Sequence, residues 1–184
     1  MMGYTLLILG LLAWSGSHLW KRLAPASREA WGEKGKGLVS VLSLGGIVLM
    51  VLGYRWADAL VLWEGPRFLN HVNNLLMLLV FYLYAASGMK TGITRVIRHP
   101  QLTAVKTWAV AHLLVNGTLA DLILFGGLLA WAVVSVILIN RQKPVWEKNP
   151  PAPMGKEIGA VVGAVVVVLA VGWLHGWLGP QVFG

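Results

Sequence analysis

Long apolar runs separated by short polar segments dominate this chain. A membrane-spanning helix needs about 20 largely apolar residues, with about 17 as a practical minimum. Six runs approach or reach that length, and the fourth is the shortest: residues 4–20, 37–53, 68–87, 102–116, 118–140 and 157–177. The pattern therefore predicts an all-α fold, a polytopic membrane helix bundle with six transmembrane helices.

Basic residues are concentrated in alternate loops. Thirteen of the fifteen Lys and Arg residues lie in or beside the first, third and fifth loops, whereas the intervening loops hold only Arg55 and Arg67. The positive-inside rule then places the odd-numbered loops in the cytoplasm and both termini on the non-cytoplasmic side. Topology thus accounts for the net charge of +8, and no nucleic-acid partner is expected.

Composition agrees with a membrane protein. The chain is 57% hydrophobic and only 12% charged, against about 25% charged residues in soluble domains. Residues 1–184 are expected to form a single transmembrane domain whose main partner is the lipid bilayer. The chain has no cysteine, so disulfides, thiolate nucleophiles, iron–sulfur clusters and covalently attached c-type haem are excluded.

The segment 98–121 puts ionisable and amide side chains in and around the shortest run. An ionisable residue inside a membrane costs roughly 2.5 to 3.5 kcal/mol on insertion scales, so Lys106 and His112 are candidates for function. Lys106 either snorkels to the cytoplasmic face or serves as counter-charge to a buried carboxylate such as a haem propionate. Arg98 and His99 precede Pro100, a residue suited to a helix start, and could meet an anion at the surface.

The other end of this segment predicts a tight turn into the fifth predicted helix. Gly117 can adopt positive φ, Thr118 can cap the helix, and Asp121 is favourably placed in its first turn. In the second apolar run, Gly45 and Gly46 are predicted to allow close packing of helix backbones.

Five histidines can be sorted by their depth in the bilayer. The axial ligands of one haem iron must share a depth, which pairs His71 with His112 and His18 with His99. A ligating imidazole usually donates its other N–H to an acceptor, and Asn74 and Asn116 are one turn from His71 and His112. The alternative is that each imidazole snorkels or caps a carbonyl. His175 lies near the same membrane face as His112.

These residues resemble the NnrU family of bacterial membrane proteins. The resemblance covers nearly the whole chain and rests on the following segments: SHLWKRL, KGLVSVLSLGGIVLMVLGY, RHPQLTAVKTWAVAHLLVNGTLADLILFGGLLAWAV and LHGWLGPQVF. It implies a multi-pass protein of the bacterial inner (cytoplasmic) membrane that is linked to denitrification, the metabolism of nitrite and nitric oxide.

The family is also similar to plant 15-cis-zeta-carotene isomerase, a membrane enzyme that uses haem b. This similarity implies haem b as cofactor and His18 and His112 as the matching ligand positions. A more distant similarity links the Arg98-His99-Pro100 segment to isoprenylcysteine methyltransferase-type enzymes, although Leu102 replaces a tyrosine that often follows that motif.

Three hypotheses follow. The first is a haem b protein with His112, His71, His18 and His99 as candidate ligands and Arg98, Lys106 and Asn116 nearby, acting on a small gas or a lipid-soluble ligand. The second is a non-enzymatic accessory factor for a nitric oxide or nitrite reductase. The third is a methyltransferase-like enzyme that uses the segment containing Arg98.

Overall fold

The structure is a computed structural model, and it describes residues 1–179 and 182. Residues 180, 181, 183 and 184, which include part of the terminal segment LHGWLGPQVF, lie outside the described residues. The described residues form helices and connecting segments, with an isolated β-bridge between Val61 and Thr118. The all-α prediction is confirmed.

Seven α-helices are defined here in chain order: α1 Met2–Leu23, α2 Pro25–Ala30, α3 Gly32–Trp56, α4 Leu69–Met89, α5 Pro100–Val115, α6 Leu119–Gln142 and α7 Met154–Leu178. A short 3-10 helix, Gly92–Arg95, precedes α5, and α6 contains a π-helical turn at Leu122–Gly126. Five of these helices, α1, α3, α4, α6 and α7, are long and apolar enough to cross a membrane.

Helix α5 is the exception among the predicted spans. It has 16 residues, so it rises only about 24 Å at about 1.5 Å per residue. The structure thus supports five of the six predicted spans by length, and the sixth crossing and the orientation of the termini remain predictions. Pro100 is the first residue of α5, as the sequence predicts.

The chain forms two compact units, which we describe separately. The first contains Met1–Glu64 and Asn116–Gln142. Its helices α1 and α3 pack closely because small residues meet at their contact: a Cβ atom added to Gly46 would lie 2.9 Å from the carbonyl oxygen of Gly10. The predicted packing role is confirmed for Gly46, whereas a Cβ at Gly45 would meet nothing within 4 Å. Leu7, Met50 and Ala120 form the apolar core of this unit.

In the first unit, the N-terminus and two loops lie side by side. The Tyr4 hydroxyl donates to the carbonyl oxygen of Asp58 at 2.6 Å, and the amide of Leu62 donates to the carbonyl oxygen of Gly117 at 2.7 Å. Gly117 is required here by close approach, because an added Cβ would clash with the carbonyl of Trp63. The prediction of positive φ at Gly117 is wrong, since among the described glycines only Gly32 has positive φ.

The second unit contains Gly65–Val115 and Lys143–Gly184. Helix α4 packs against both α5 and α7, around a core of Val80, Leu83 and Ala104. The proline-rich segment 143–153 is without helix. It is held to the 3-10 helix by a hydrogen bond from the Asn149 amide to Thr94 Oγ1 at 3.1 Å, and Glu157 accepts from the Gly92 amide at 2.7 Å.

Candidate functional site

His18 lies on α1, where the helix backbone fixes one of its ring nitrogens. Its Nδ1 is 2.8 Å from the carbonyl oxygen of Trp14, one helical turn earlier, and 3.3 Å from Ser17 Oγ. A carbonyl oxygen can only accept, so Nδ1 carries the hydrogen in this contact and the neutral ring keeps its lone pair on Nε2. This is the tautomer of a metal-ligating histidine whose second nitrogen donates to a backbone carbonyl.

Two indole rings surround the His18 imidazole. Its ring centroid lies 4.1 Å from that of Trp14, in a tilted stack, and 5.5 Å from that of Trp131, edge to face. The Nε1 atoms of both tryptophans are buried without a hydrogen-bond partner in the described part of the chain. An unpaired buried donor costs free energy. An acceptor placed beside His18 and within reach of these two N–H groups would therefore stabilise the site.

His112 lies near the end of α5 and faces α4. Its Nδ1 is 3.4 Å from Oδ1 of Asn73, which is 8% exposed, and its ring lies 5.1 Å from that of Trp108. The amide oxygen is an acceptor, so Nδ1 again carries the hydrogen and Nε2 has the lone pair. Sequence reasoning missed Asn73, and the signal available was an adjacent pair of amides, Asn73 and Asn74, inside an apolar helix.

The structure places His71 on a different side of α4. Two residues correspond to about 200° of helix rotation, so the His71 side chain leaves α4 nearly opposite Asn73, and it is exposed. Asn74, the predicted partner of His71, donates instead to the carbonyl oxygen of Val182 at 2.9 Å. On α4, Asn73 contacts His112.

The remaining histidines are not gathered into one cluster. His99 is partly buried just before α5, and His175 is exposed near the end of α7. His18 belongs to the first unit and His99 and His112 to the second, so the pairs His18/His99 and His18/His112 remain predictions. Over the described residues, no group of three or more His, Cys, Asp or Glu side chains is suited to hold a metal ion.

Arg98 binds the proline-rich segment rather than standing free at the surface. Its guanidinium donates to the carbonyl oxygens of Lys143, Pro144 and Val145, the last two at 3.3 Å. Lys106 is partly buried in α5 and has no acceptor within the described chain, and Asn116 is partly buried just after α5. The guanidinium of Arg98 is therefore already engaged by backbone oxygens.

Comparisons with known proteins give one family and no closer relative. A family model described as NnrU protein matches residues 6–182, nearly the whole chain. No curated protein and no solved structure matches it.

Proposed function

This chain belongs to the NnrU family, and we propose that it is a multi-pass membrane protein that binds haem b through histidine imidazole. The observation that carries the proposal is the orientation of His18 and His112. Each places Nδ1 within hydrogen-bond distance of an oxygen acceptor, which is the orientation of histidines that bind a metal through Nε2. Neutral imidazole is a common axial ligand of haem iron.

The side chains around each imidazole suit this role. The Trp14 and Trp131 rings cover His18, and Trp108 covers one side of His112, so they would exclude water from a bound porphyrin. The two unpaired indole N–H groups would be available to an acceptor on a porphyrin held by His18. Lys106 lies about 9 Å along the axis of α5 from His112, where its ammonium could meet a propionate. When bound, haem b would supply an iron centre able to coordinate a small gas or polarise a lipid-soluble polyene.

We also propose a role in denitrification, on the ground of the family resemblance. In that context the protein would sit in a bacterial inner membrane and serve nitrite or nitric oxide metabolism, alone or beside a reductase. Isomerase-type chemistry on a lipid-soluble substrate would use the same iron. A methyltransferase role is less well supported, because Arg98 donates to the segment 143–145.

We also propose that α5 crosses the membrane and that the chain crosses six times. The loop before α4 and the loop after α5 are hydrogen-bonded to one another through Leu62 and Gly117, so we expect both loops to lie at the same membrane surface. Helix α4 is long enough to leave that surface. The chain must then return, and α5 is the segment available for it.

The haem proposal is tested by an absorption spectrum of the purified protein. Expression with adequate haem supply should give a Soret band that His18→Ala or His112→Ala removes or shifts. The control variants are His71→Ala and His175→Ala, whose side chains are exposed, and they should leave the band unchanged. Asn73→Ala should weaken haem binding about tenfold, since it removes the acceptor for His112.

Three results would count against this assignment. A colourless wild-type protein would overturn haem binding itself. Loss of the band in His71→Ala, with His18→Ala and His112→Ala unaffected, would overturn the choice of ligands. A colourless protein that co-purifies with a reductase subunit would support the accessory role instead.

A further inference from the structure

A groove opens between α1, α2 and α3 of the first unit, and one of its lining residues, Ser17, also contacts the His18 ring. Its volume is about 360 Å³, and its walls are largely apolar, with two hydroxyl groups: Gly16, Ser17, Trp20, Ser27, Trp31, Leu38 and Leu42. Helix α2 and its flanks connect two candidate spans. The groove therefore lies at the ends of these candidate spans, next to a membrane surface.

The connection that contributes Ser27 and Trp31 to this groove is rich in cations. The connection 21–36 holds five basic side chains, Lys21, Arg22, Arg28, Lys34 and Lys36, against two acidic ones, Glu29 and Glu33. Lys36 pairs with Glu33 at 2.6 Å, which leaves an excess of positive charge. Basic residues next to a membrane helix attract anionic lipid headgroups.

Arg28 connects the charge to the groove. Its guanidinium carbon lies 5.7 Å from the centre of the Trp20 ring, and it donates to the carbonyl oxygen of Gly32 at 3.1 Å. The Trp20 indole in turn donates to Ser27 Oγ at 3.3 Å and meets Trp31 edge to face. Trp31 is 51% exposed. Aromatic rings at this level are typical of the membrane interface, where apolar and polar parts of a lipid meet.

We propose that this groove binds an anionic phospholipid. An acyl chain would lie along Gly16, Leu38 and Leu42, and the phosphate would lie near Ser27 and Arg28. Gly16 leaves room for the chain, because a Cβ added there would meet nothing within 4 Å. A bulky side chain at position 16 would therefore fill the groove without displacing the packed face of α1.

The test is native mass spectrometry of the full-length protein in mild detergent with added dioleoyl-phosphatidylglycerol or dioleoyl-phosphatidylcholine. The wild type should retain the anionic lipid about fivefold more strongly than the zwitterionic one, as expected for one engaged cation. Gly16→Leu should abolish this retention. Gly45→Leu is the matched control, because Gly45 also has open space beside it but does not line the groove.

Arg28→Gln separates charge recognition from filling of the groove. It should lower the affinity for phosphatidylglycerol about fivefold and lower that for phosphatidylcholine by less, because the choline cation offsets the phosphate charge. Should Gly16→Leu fail to elute as a single species, Trp31→Ala answers the same question, with Trp173→Ala as control because Trp173 is exposed on α7.

Equal retention of phosphatidylglycerol and phosphatidylcholine by the wild type would overturn the proposal. Equal loss of phosphatidylglycerol retention in Gly16→Leu and Gly45→Leu would do the same. So would displacement of the retained lipid by inorganic phosphate alone, which would identify a simple anion site. If Gly16→Leu does not fold, equal loss of lipid retention in Trp31→Ala and Trp173→Ala would also overturn the proposal.

Discussion

Asp121 places a carboxyl group in a buried position at the start of α6. It is 2% exposed, and three donors surround it. The Tyr54 hydroxyl donates to Oδ1 at 2.5 Å, while the Thr118 amide and hydroxyl donate to Oδ2 at 2.8 and 2.6 Å. Thr118 Oγ1 also accepts from the Asp121 amide, which completes a capping box. Buried polar groups need such partners, so this cluster connects α3 firmly to the start of α6.

We expect Tyr54→Phe to destabilise the protein by about 1.5 to 3 kcal/mol, the usual contribution of a hydrogen bond to a charged group. Thermal unfolding in detergent measures the change. Tyr84→Phe is the matched control, because Tyr84 is 41% exposed and its hydroxyl has no hydrogen-bond partner in the described chain. Equal melting temperatures for the two variants would show that the Tyr54 hydroxyl does not stabilise the cluster.

Local spacing explains which parts of this cluster the sequence could predict. Thr118 and Asp121 are three positions apart in the chain, so the sequence predicts this cap and the structure confirms it. Tyr54 is 67 residues from Asp121, and only tertiary packing brings them together. The same limit applies to His112: one-turn spacing indicated Asn74 as an imidazole partner of His71, but the structure uses Asn73 for His112.

At the level of elements, two adjacent glycines of α3 offer a direct test of helix packing. A Cβ at Gly46 would lie 2.9 Å from the carbonyl oxygen of Gly10 and 3.0 Å from the amide nitrogen of Trp14, whereas Gly45 faces open space. Both Gly→Ala changes favour the helix intrinsically. Only Gly46→Ala must push α1 and α3 apart.

We therefore expect Gly46→Ala to cost about 1 to 3 kcal/mol, typical of overpacking, and Gly45→Ala to be neutral or slightly stabilising. Unfolding in denaturant, compared between the two variants, measures the difference. A destabilised Gly45→Ala variant would contradict the packing of α1 against α3 described above.

The proline-rich segment is held in place by Arg98. Arg98→Gln should release residues 143–145, because it removes the donors to their carbonyl oxygens. We expect chymotrypsin to cleave after Trp146 several-fold faster in this variant. Arg95→Gln is the control, since Arg95 has no such contact in the described residues. Unchanged cleavage would show that Asn149 and Glu157 hold the segment without Arg98.

Hydropathy along the sequence predicted the type of the long elements, but it did not predict where the helices begin and end. Apolar periodicity identifies where helices must be, and it missed α2 because Pro25–Ala30 is polar and short. It also placed the start of α3 five residues late, at 37 instead of Gly32. Polar residues can also be helical, because the helix pairs their backbone N–H and C=O groups with one another. Hydropathy does not measure this backbone hydrogen bonding.

On the scale of the whole chain, contacts inside the first unit join helix ends that the charge pattern assigns to the same membrane face. In the first unit, Arg22 and Gln142 exchange hydrogen bonds of 3.2 and 2.7 Å, which joins the ends of α1 and α6. At the opposite ends of these helices, the N-terminal amine lies 3.4 Å from Asp58 Oδ2. The proposed six crossings predict contacts of this kind.

The chain has no cysteine, so single introduced cysteines can report membrane sidedness. With six crossings, a membrane-impermeant maleimide should label Leu60→Cys in intact cells, and Val96→Cys and Val145→Cys only after permeabilisation. All three positions are exposed. Opposite labelling of Val96→Cys and Val145→Cys would mean that α5 does not cross.

The shortness of α5 has a consequence for the surrounding lipid. If α5 crosses as proposed, its rise of about 24 Å is less than the roughly 30 Å hydrocarbon core of a bilayer, so acyl chains beside this helix would compress or its polar ends would be shielded by neighbouring protein. Hydrophobic mismatch of this size carries a modest cost per ångström. The protein should therefore be more stable in short-chain lipids than in long-chain ones, and it should accumulate where the host membrane is thin.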